Sequence, residues 1–287
     1  MTQATSNLQA SGLSDRYEIR QLEQRHVEWV AAIAAHANVY QGWCATLFAG
    51  QQARTTLAFA QSAAVTYKKT VELGFSYGIF DKEYQFKRVE SVAAGGGLYF
   101  SEFDESDPEL EVDSREKLND AMDFPLVSYG MQYDASDPSP ATILFTSLVK
   151  EVPVMGYVFG ARPALTAEER AKREAEPDKS LEVKPNWGEV MGRNGTATKE
   201  EYAGKGLAKA LAHWLLSDAK RKGYKKMVIG VNSLAVHHIY SNPPAPFKAN
   251  VLMAYHCQDH EVEIDGKMVK LFANCKDAFR GSVEVLL

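Results

Sequence analysis

The sequence predicts an α/β (α+β) fold, a sheet flanked by helices, and three observations support it. Tyr17-Glu18-Ile19-Arg20-Gln21-Leu22 alternates apolar and polar residues as a half-buried strand does. Long segments that follow carry apolar residues at helical spacing. Residues 187–231 then read as strand, glycine loop, amphipathic helix and short buried strand.

In chain order, residues 1–14 are rich in Ser, Thr, Gln and Asn and predict a loose tail. After the first strand, Val27, Val30, Ile33 and Ala34 mark a helix over about Glu23 to Ala37. A second helix is predicted from Thr46 to Leu73, where alanine is frequent and proline absent, with Gly74 as its left-handed cap. Residues 75–140 show no clear period and read as a loop-rich, partly helical insertion, with Gly95-Gly96-Gly97 as a flexible turn. Thr142 to Val149 and Val154 to Phe159 read as two strands joined near Lys150 to Pro153. The charged run at 162–186 reads as a solvated surface excursion. Trp187 to Thr198 is a strand, Leu207 to Lys222 a helix ended by Gly223, and Lys226 to Val231 a buried strand. A short helix through Leu234 to Tyr240 stops at Asn242-Pro243-Pro244. Asn250 to Cys257 and Lys267 to Ala273 supply the closing strands. The expected organisation is one domain over 15–287 with insertions at about 75–140 and 162–186.

Composition narrows the function. The 287 residues are 45% hydrophobic and 24% charged, ample for a core. A net charge of −5 gives no electrostatic footprint for nucleic acid. Cys44, Cys257 and Cys275 are odd in number and widely spaced, so they form neither a metal signature nor a disulfide framework. No run approaches the roughly 20 apolar residues of a membrane span. A cytoplasmic protein without metal, nucleic-acid or membrane partners is the expectation.

The unit Glu201-Tyr202-Ala203-Gly204-Lys205-Gly206-Leu207-Ala208 joins a strand to a helix. Glycines there permit a tight turn and close approach to a ligand. The first N–H groups of the helix lack intrahelical partners and the dipole favours negative charge, so the junction suits a pyrophosphate. Lys205 adds a cation. A strand-to-helix turn that needs glycine for geometry alone is the competing reading. The loop has neither Rossmann spacing nor a P-loop ending.

Ala203-Gly204-Lys205-Gly206-Leu207-Ala208, in this context, resembles the acyl-CoA loop of the GCN5-related N-acetyltransferases (GNAT), Arg/Gln-x-x-Gly-x-Gly/Ala. The resemblance is most specific over 187–240. It departs at Ala203, where the family has Arg or Gln. Asn232, Ala235 and Tyr240 are similar in type to the family's following helix, with the Ala-to-Tyr spacing one residue longer. The resemblance implies a central mixed, mostly antiparallel sheet flanked by helices. It implies that acetyl-CoA is the co-substrate. Backbone from Ala203 to Ala208 would hold its pyrophosphate, and Thr196, Ala197, Thr198 and Asn232 would border its arm. It further implies acetyl transfer to the amine of a small molecule by direct attack in a ternary complex.

Such a transfer needs a base within reach of the amine. Glu189, on the strand before the loop, is the candidate, and Tyr240 is the candidate acid for the leaving thiolate. His237 and His238 are neighbours that cannot both face the site. Phe75, Tyr77, Phe80 and Asp81 could line an acceptor pocket, with aromatic walls and a carboxylate for an ammonium group. Two rivals stay open: a non-catalytic CoA- or ligand-binding protein with a degenerate core, and a protein N-acetyltransferase.

Overall fold

The computed structural model describes residues 12–160 and 184–287. The tail before Gly12 and most of the charged run at 162–186 lie outside the described residues. Eleven strands occur among them: β1 (Tyr17–Gln21), β2 (Tyr77–Asp81), β3 (Gly97–Leu98), β4 (Met122–Asp123), β5 (Leu126–Asp134), β6 (Val190–Thr198), β7 (Lys226–Val231), β8 (Lys248–His256), β9 (Val262–Ile264), β10 (Lys267–Val269) and β11 (Phe279–Leu286). Seven of them form one sheet in the order β1-β2-β5-β6-β7-β11-β8. Every pairing in it is antiparallel except β6 with β7, so the sheet is mixed and mostly antiparallel, as expected.

Helices cover both faces. α1 (Val27–His36) and α2 (Gln52–Glu72) join β1 to β2, and their apolar residues pack with Phe80, Tyr129 and Met131. α1 is buried almost all round because α2 covers the side that the sheet does not. α2 starts at Gln52, later than the predicted Thr46, because Gly50 adopts φ +79° and breaks the chain after a 3-10 turn over Trp43–Phe48. On the opposite face lies α7 (Leu207–Arg221). Its Leu211 and Leu215 pack with Ile79 and Val127, while Ala212 and Leu216 meet residues of β7 and β11. No helix among the described residues is long and apolar enough to cross a membrane.

Three expectations are corrected. The first concerns residues 75–140, which are not merely an insertion: they contribute β2 and β5, the second and third strands of the sheet, beside α3 (Val89–Ala94) and α4 (Ser114–Asp120). β5 is buried on both faces, so it lacks the alternation that reveals a surface strand. Gly95 is the left-handed cap of α3, and Gly96 donates to the Ser91 carbonyl at 2.8 Å. A Cβ at Gly96 would lie 2.7 Å from Trp29 and 2.8 Å from Phe124, so this glycine allows a close approach.

The second correction concerns Thr142–Val149 and Val154–Phe159, which are helical: α5 (Ser139–Glu151) and α6 (Val154–Gly160). β-branched residues suggested strands. The start signal overrode them: Asp137 accepts the Ser139 N–H at 3.0 Å and Pro140 occupies the first turn. Thr142 and Thr146 then turn their hydroxyls back onto carbonyls of Pro138 and Thr142. The third correction is the closing strand. Lys267–Ala273 yields only β10, paired with β9 across Asp265-Gly266, both at positive φ. The closing strand is β11, whose burial alternates along its length.

Candidate active site

The site begins where two parallel strands part. β6 and β7 pair only from Val190–Gly192 to Lys226–Val228, and beyond Gly192 they diverge as a wedge. On its other edge β6 is bulged: Gly130 pairs with Thr196 and Gln132 with Arg193, so Asn194 and Gly195 together face Met131. A bulge of this kind re-aims backbone groups away from the ladder. Gly195 has φ +131°, and a Cβ there would lie 3.3 Å from the Tyr67 hydroxyl and 3.6 Å from that of Tyr129.

At the wide end of the wedge, Lys199 anchors the chain. It is buried, and its Nζ donates to the carbonyls of Met122 at 2.6 Å and Phe124 at 3.2 Å. Burial pulls its pKa down to about 8. A 3-10 turn at Glu200–Tyr202 follows, then the glycine loop. Gly204 and Gly206 both adopt φ +76° with open space where a Cβ would stand. Gly206 is the N-cap of α7 and offers no side chain, and the N–H of Ala210 is the one that returns to the Gly206 carbonyl, at 3.0 Å. The preceding N–H groups therefore face outward at the positive end of a 15-residue helix.

A cleft of about 780 Å³ runs through the wedge from this loop to the side of the sheet covered by α1 and α2. Thr196, Ala197, Thr198, Ala203, Gly204 and Gly206 line it, as do Leu207, Ala208 and Asn232. The sequence-predicted loop, strand end and asparagine are thus brought together. Lys205 departs from the group: its Nζ sits 4.4 Å above the Tyr202 ring, and Lys209 borders the cleft instead.

The residues expected to carry chemistry are placed differently. Glu189 precedes β6 and does not border the cleft. Its carboxylate accepts from Lys225 Nζ at 2.9 Å and from the Asn186 N–H at 2.9 Å. The Lys225 contact leads in lowering its pKa to about 2. Tyr240, on α8 (Leu234–Ser241), is 1% exposed, and its hydroxyl accepts a hydrogen bond from Arg193 Nη1. Burial raises its pKa, and the Arg193 charge opposes that. Phe75, Tyr77, Phe80 and Asp81 lie away from the cleft. Phe75 packs between Trp187 and Tyr224, Tyr77 against Trp214, and Phe80 against His26 in the core. Asp81 is held by Arg16 at 2.8 and 2.6 Å and by the Tyr202 hydroxyl at 2.8 Å. Burial pushes its pKa up, and these partners more than offset it. Of the two histidines, His238 borders the cleft and His237 packs against Phe279.

Sequence reasoning missed the far half of the cleft. Trp43, Phe59, Tyr67, Tyr129 and Phe159 wall it, with Leu144 and Leu148 from α5. The Trp43 indole N–H is buried without a hydrogen-bond partner among the described residues. Tyr67 and Tyr129 hydrogen-bond to each other; burial pushes Tyr67 up to about 12 and Tyr129 well above its ordinary value, so both phenols stay protonated. No Asp or Glu lines the cleft among the described residues, whereas Arg193, Lys209 and Arg280 do. These wall residues come from five separate segments, and no local pattern linked them.

No protein-family model matches the chain, and no curated protein matches its sequence. Solved structures do match its fold. Arylalkylamine N-acetyltransferase 2 from Aedes aegypti is 10% identical, with 95% of this chain and 99% of that chain covered and a TM-score of 0.50. Polyamine N-acetyltransferase of Drosophila melanogaster is 8% identical over 94% and 99% of the two chains, TM-score 0.49. A Salmonella typhimurium protein solved with its cofactor acetyl-CoA is 12% identical over 95% of each chain, TM-score 0.42. At such low identity the likeness concerns the fold alone, and the chain carries the GCN5-related N-acetyltransferase (GNAT)-like fold of which arylalkylamine N-acetyltransferase 2 is an example.

Proposed function

We propose that this protein is an acetyl-CoA-dependent N-acetyltransferase that acetylates the amine of a small molecule by direct attack in a ternary complex. One observation carries the reading: the wedge between β6 and β7 opens onto the donor end of α7, which no side chain caps. The N–H groups of Gly204 to Ala208 would take the pyrophosphate, which needs only the positive φ of Gly204 and Gly206 and so tolerates Ala203. Thr196, Ala197 and Thr198 on one side and Asn232 on the other would border the pantetheine arm. The bulge at Asn194–Gly195 supports a backbone donor for the thioester carbonyl.

The aromatic half of the cleft would receive the acceptor, and its walls favour a compact apolar amine over a protein chain. The amine enters neutral, because no cleft carboxylate among the described residues removes its proton; the proton passes to solvent. Glu189 is committed to Lys225, so the assignment of a base there loses its geometry.

That same absence of an acidic side chain favours a second reading, an acyl-CoA-binding protein without catalysis. Calorimetry with acetyl-CoA tests what the two share, and no heat at millimolar ligand would remove both. Thiol release from acetyl-CoA across a panel of aryl and alkyl amines tests what separates them. Release above the blank for any amine supports the transferase, and binding without release supports the second reading.

A further inference from the structure

Resting on the acetyl-CoA reading above, we infer that Arg193 is the catalytic residue that stabilises the leaving thiolate. Arg193 is the first residue of β6 past its last pair with β7, so it stands at the closed end of the wedge and borders the cleft. Thr198 to Arg193 spans about 17 Å of strand. The arm from phosphate to sulfur holds about thirteen bonds, about 15 Å when extended as a polypeptide is. With its phosphate at α7, the arm runs down the wedge toward its closed end, and Arg193 is the cationic residue that borders the cleft there.

The guanidinium is prepared for an anion and, among the described residues, pairs with none of the protein's own. No carboxylate lies within 4.0 Å of it among the described residues, and its Nε is buried without a hydrogen-bond partner. Nη1 donates to the Tyr240 hydroxyl. Space is made for it by Gly130, where a Cβ would stand 2.9 Å from Nη2 and 2.6 Å from Leu215. A cation placed this way is costly until an opposite charge arrives. Tyr240 does not border the cleft, so the phenol fixes the guanidinium from behind; it is a positioning residue.

The step balances without an acid. The amine nitrogen bonds to the carbonyl carbon, the carbon–sulfur bond breaks, and its electron pair goes to sulfur beside Arg193. The surplus proton on nitrogen goes to water. Arg193 stays protonated throughout, as guanidinium does.

The test reads proton release when CoA binds, by calorimetry at pH 7.5 in buffers of different ionisation enthalpy. A free thiol with pKa near 8.5 is mostly protonated there. Wild-type protein is expected to release a measurable fraction of a proton with CoA and none with desulfo-CoA. Arg193→Met loses that release, while Arg193→Lys keeps part of it and controls for folding. With acetyl-CoA, Arg193→Met lowers kcat about a hundredfold with KM changed less than threefold. Tyr240→Phe keeps the proton release and loses less than tenfold in kcat. Equal release from wild type and Arg193→Met overturns the inference, as does no release from wild type that binds CoA. Loss of release in Tyr240→Phe alone transfers the role to the phenol and overturns it too. Failure of acetyl-CoA itself to bind overturns the underlying reading, an outcome distinct from all of these.

Discussion

The two halves of the cleft are built by different means. The half toward α7 is backbone: a strand end, two glycines at positive φ and the first N–H groups of a helix, all within residues 190–210. The half toward α1 and α2 is side chains: Trp43, Phe59, Tyr67, Tyr129 and Phe159, brought together only by the tertiary fold. A backbone site specifies a ligand by charge and close approach, and tolerates side-chain change. A side-chain site specifies shape, and each residue counts. The first half should therefore break only where its backbone is obstructed, and the second wherever its walls or their support are altered.

The largest effect follows from obstruction. Gly206→Asp puts a carboxylate where the proposed pyrophosphate would approach and forces a non-glycine residue to φ +76°. Affinity for acetyl-CoA, measured by calorimetry, is expected to fall at least a thousandfold, about 4 kcal/mol. Ala203→Ser, beside it, should change affinity less than threefold. If Ala203→Ser matters as much as Gly206→Asp, the loop is not a backbone site.

The core at the start of α1, outside both halves, carries an acid-sensitive group. His26 is 2% exposed, packed against Trp29 and Phe80, and its Nδ1 accepts the Glu23 N–H at 3.0 Å. Burial chiefly lowers its pKa to about 4. Below the unfolded value of 6.5 the unfolded chain binds a proton that the folded chain does not. Folding stability thus falls as pH drops from 6.5 to 4, by about 3 kcal/mol from this residue. Urea midpoints against pH measure the slope. Replacing His26 with Gln should flatten it, and an unchanged slope would place the acid sensitivity elsewhere.

The same division explains what could be read from the sequence. The glycine loop, the helix after it, the buried strand Lys226–Val231 and the helix to Tyr240 follow one another in the chain, and each has a local cause. Strand β5 was hidden because burial on both faces erases alternation, and α5 because Thr142, Ile143, Thr146 and Val149 imitate a strand. Glu189, Phe75, Tyr77 and Phe80 have the residue types that such a site needs. Type fixes neither side of a sheet nor partner, and Lys225, Trp187, Trp214 and His26 claim them. Arg193 sits in the middle of a predicted strand, where nothing local shows that its neighbour β7 has already turned away.

A smaller effect is expected at the aromatic wall. Trp43 meets Phe272 edge-on at 5.3 Å and is partly exposed to the cleft, so its loss opens the chamber without emptying the core. Trp43→Ala should raise KM for the preferred amine about tenfold, about 1.4 kcal/mol, and leave acetyl-CoA affinity unchanged. Steady-state kinetics with each substrate varied in turn would show it. Equal damage to both substrates would mean that the halves are one site and the comparison fails.

The smallest effect is the most discriminating. Glu189 was the candidate base because a carboxylate on the strand before the loop is where chemistry would want one. It lies outside the wedge, with Lys225 and Asn186 holding its charge well below neutral pH. A carboxylate so stabilised is a weak base. Glu189→Gln should therefore leave kcat/KM within twofold across pH 6 to 9. A base would instead show a large drop and the loss of the acidic limb of the pH profile. That result would mean the strand end moves when ligand binds, bringing residues from beyond the bulge into the aromatic half. The two halves would then be coupled through β6, and the sharp division between backbone and side-chain recognition would have to be abandoned.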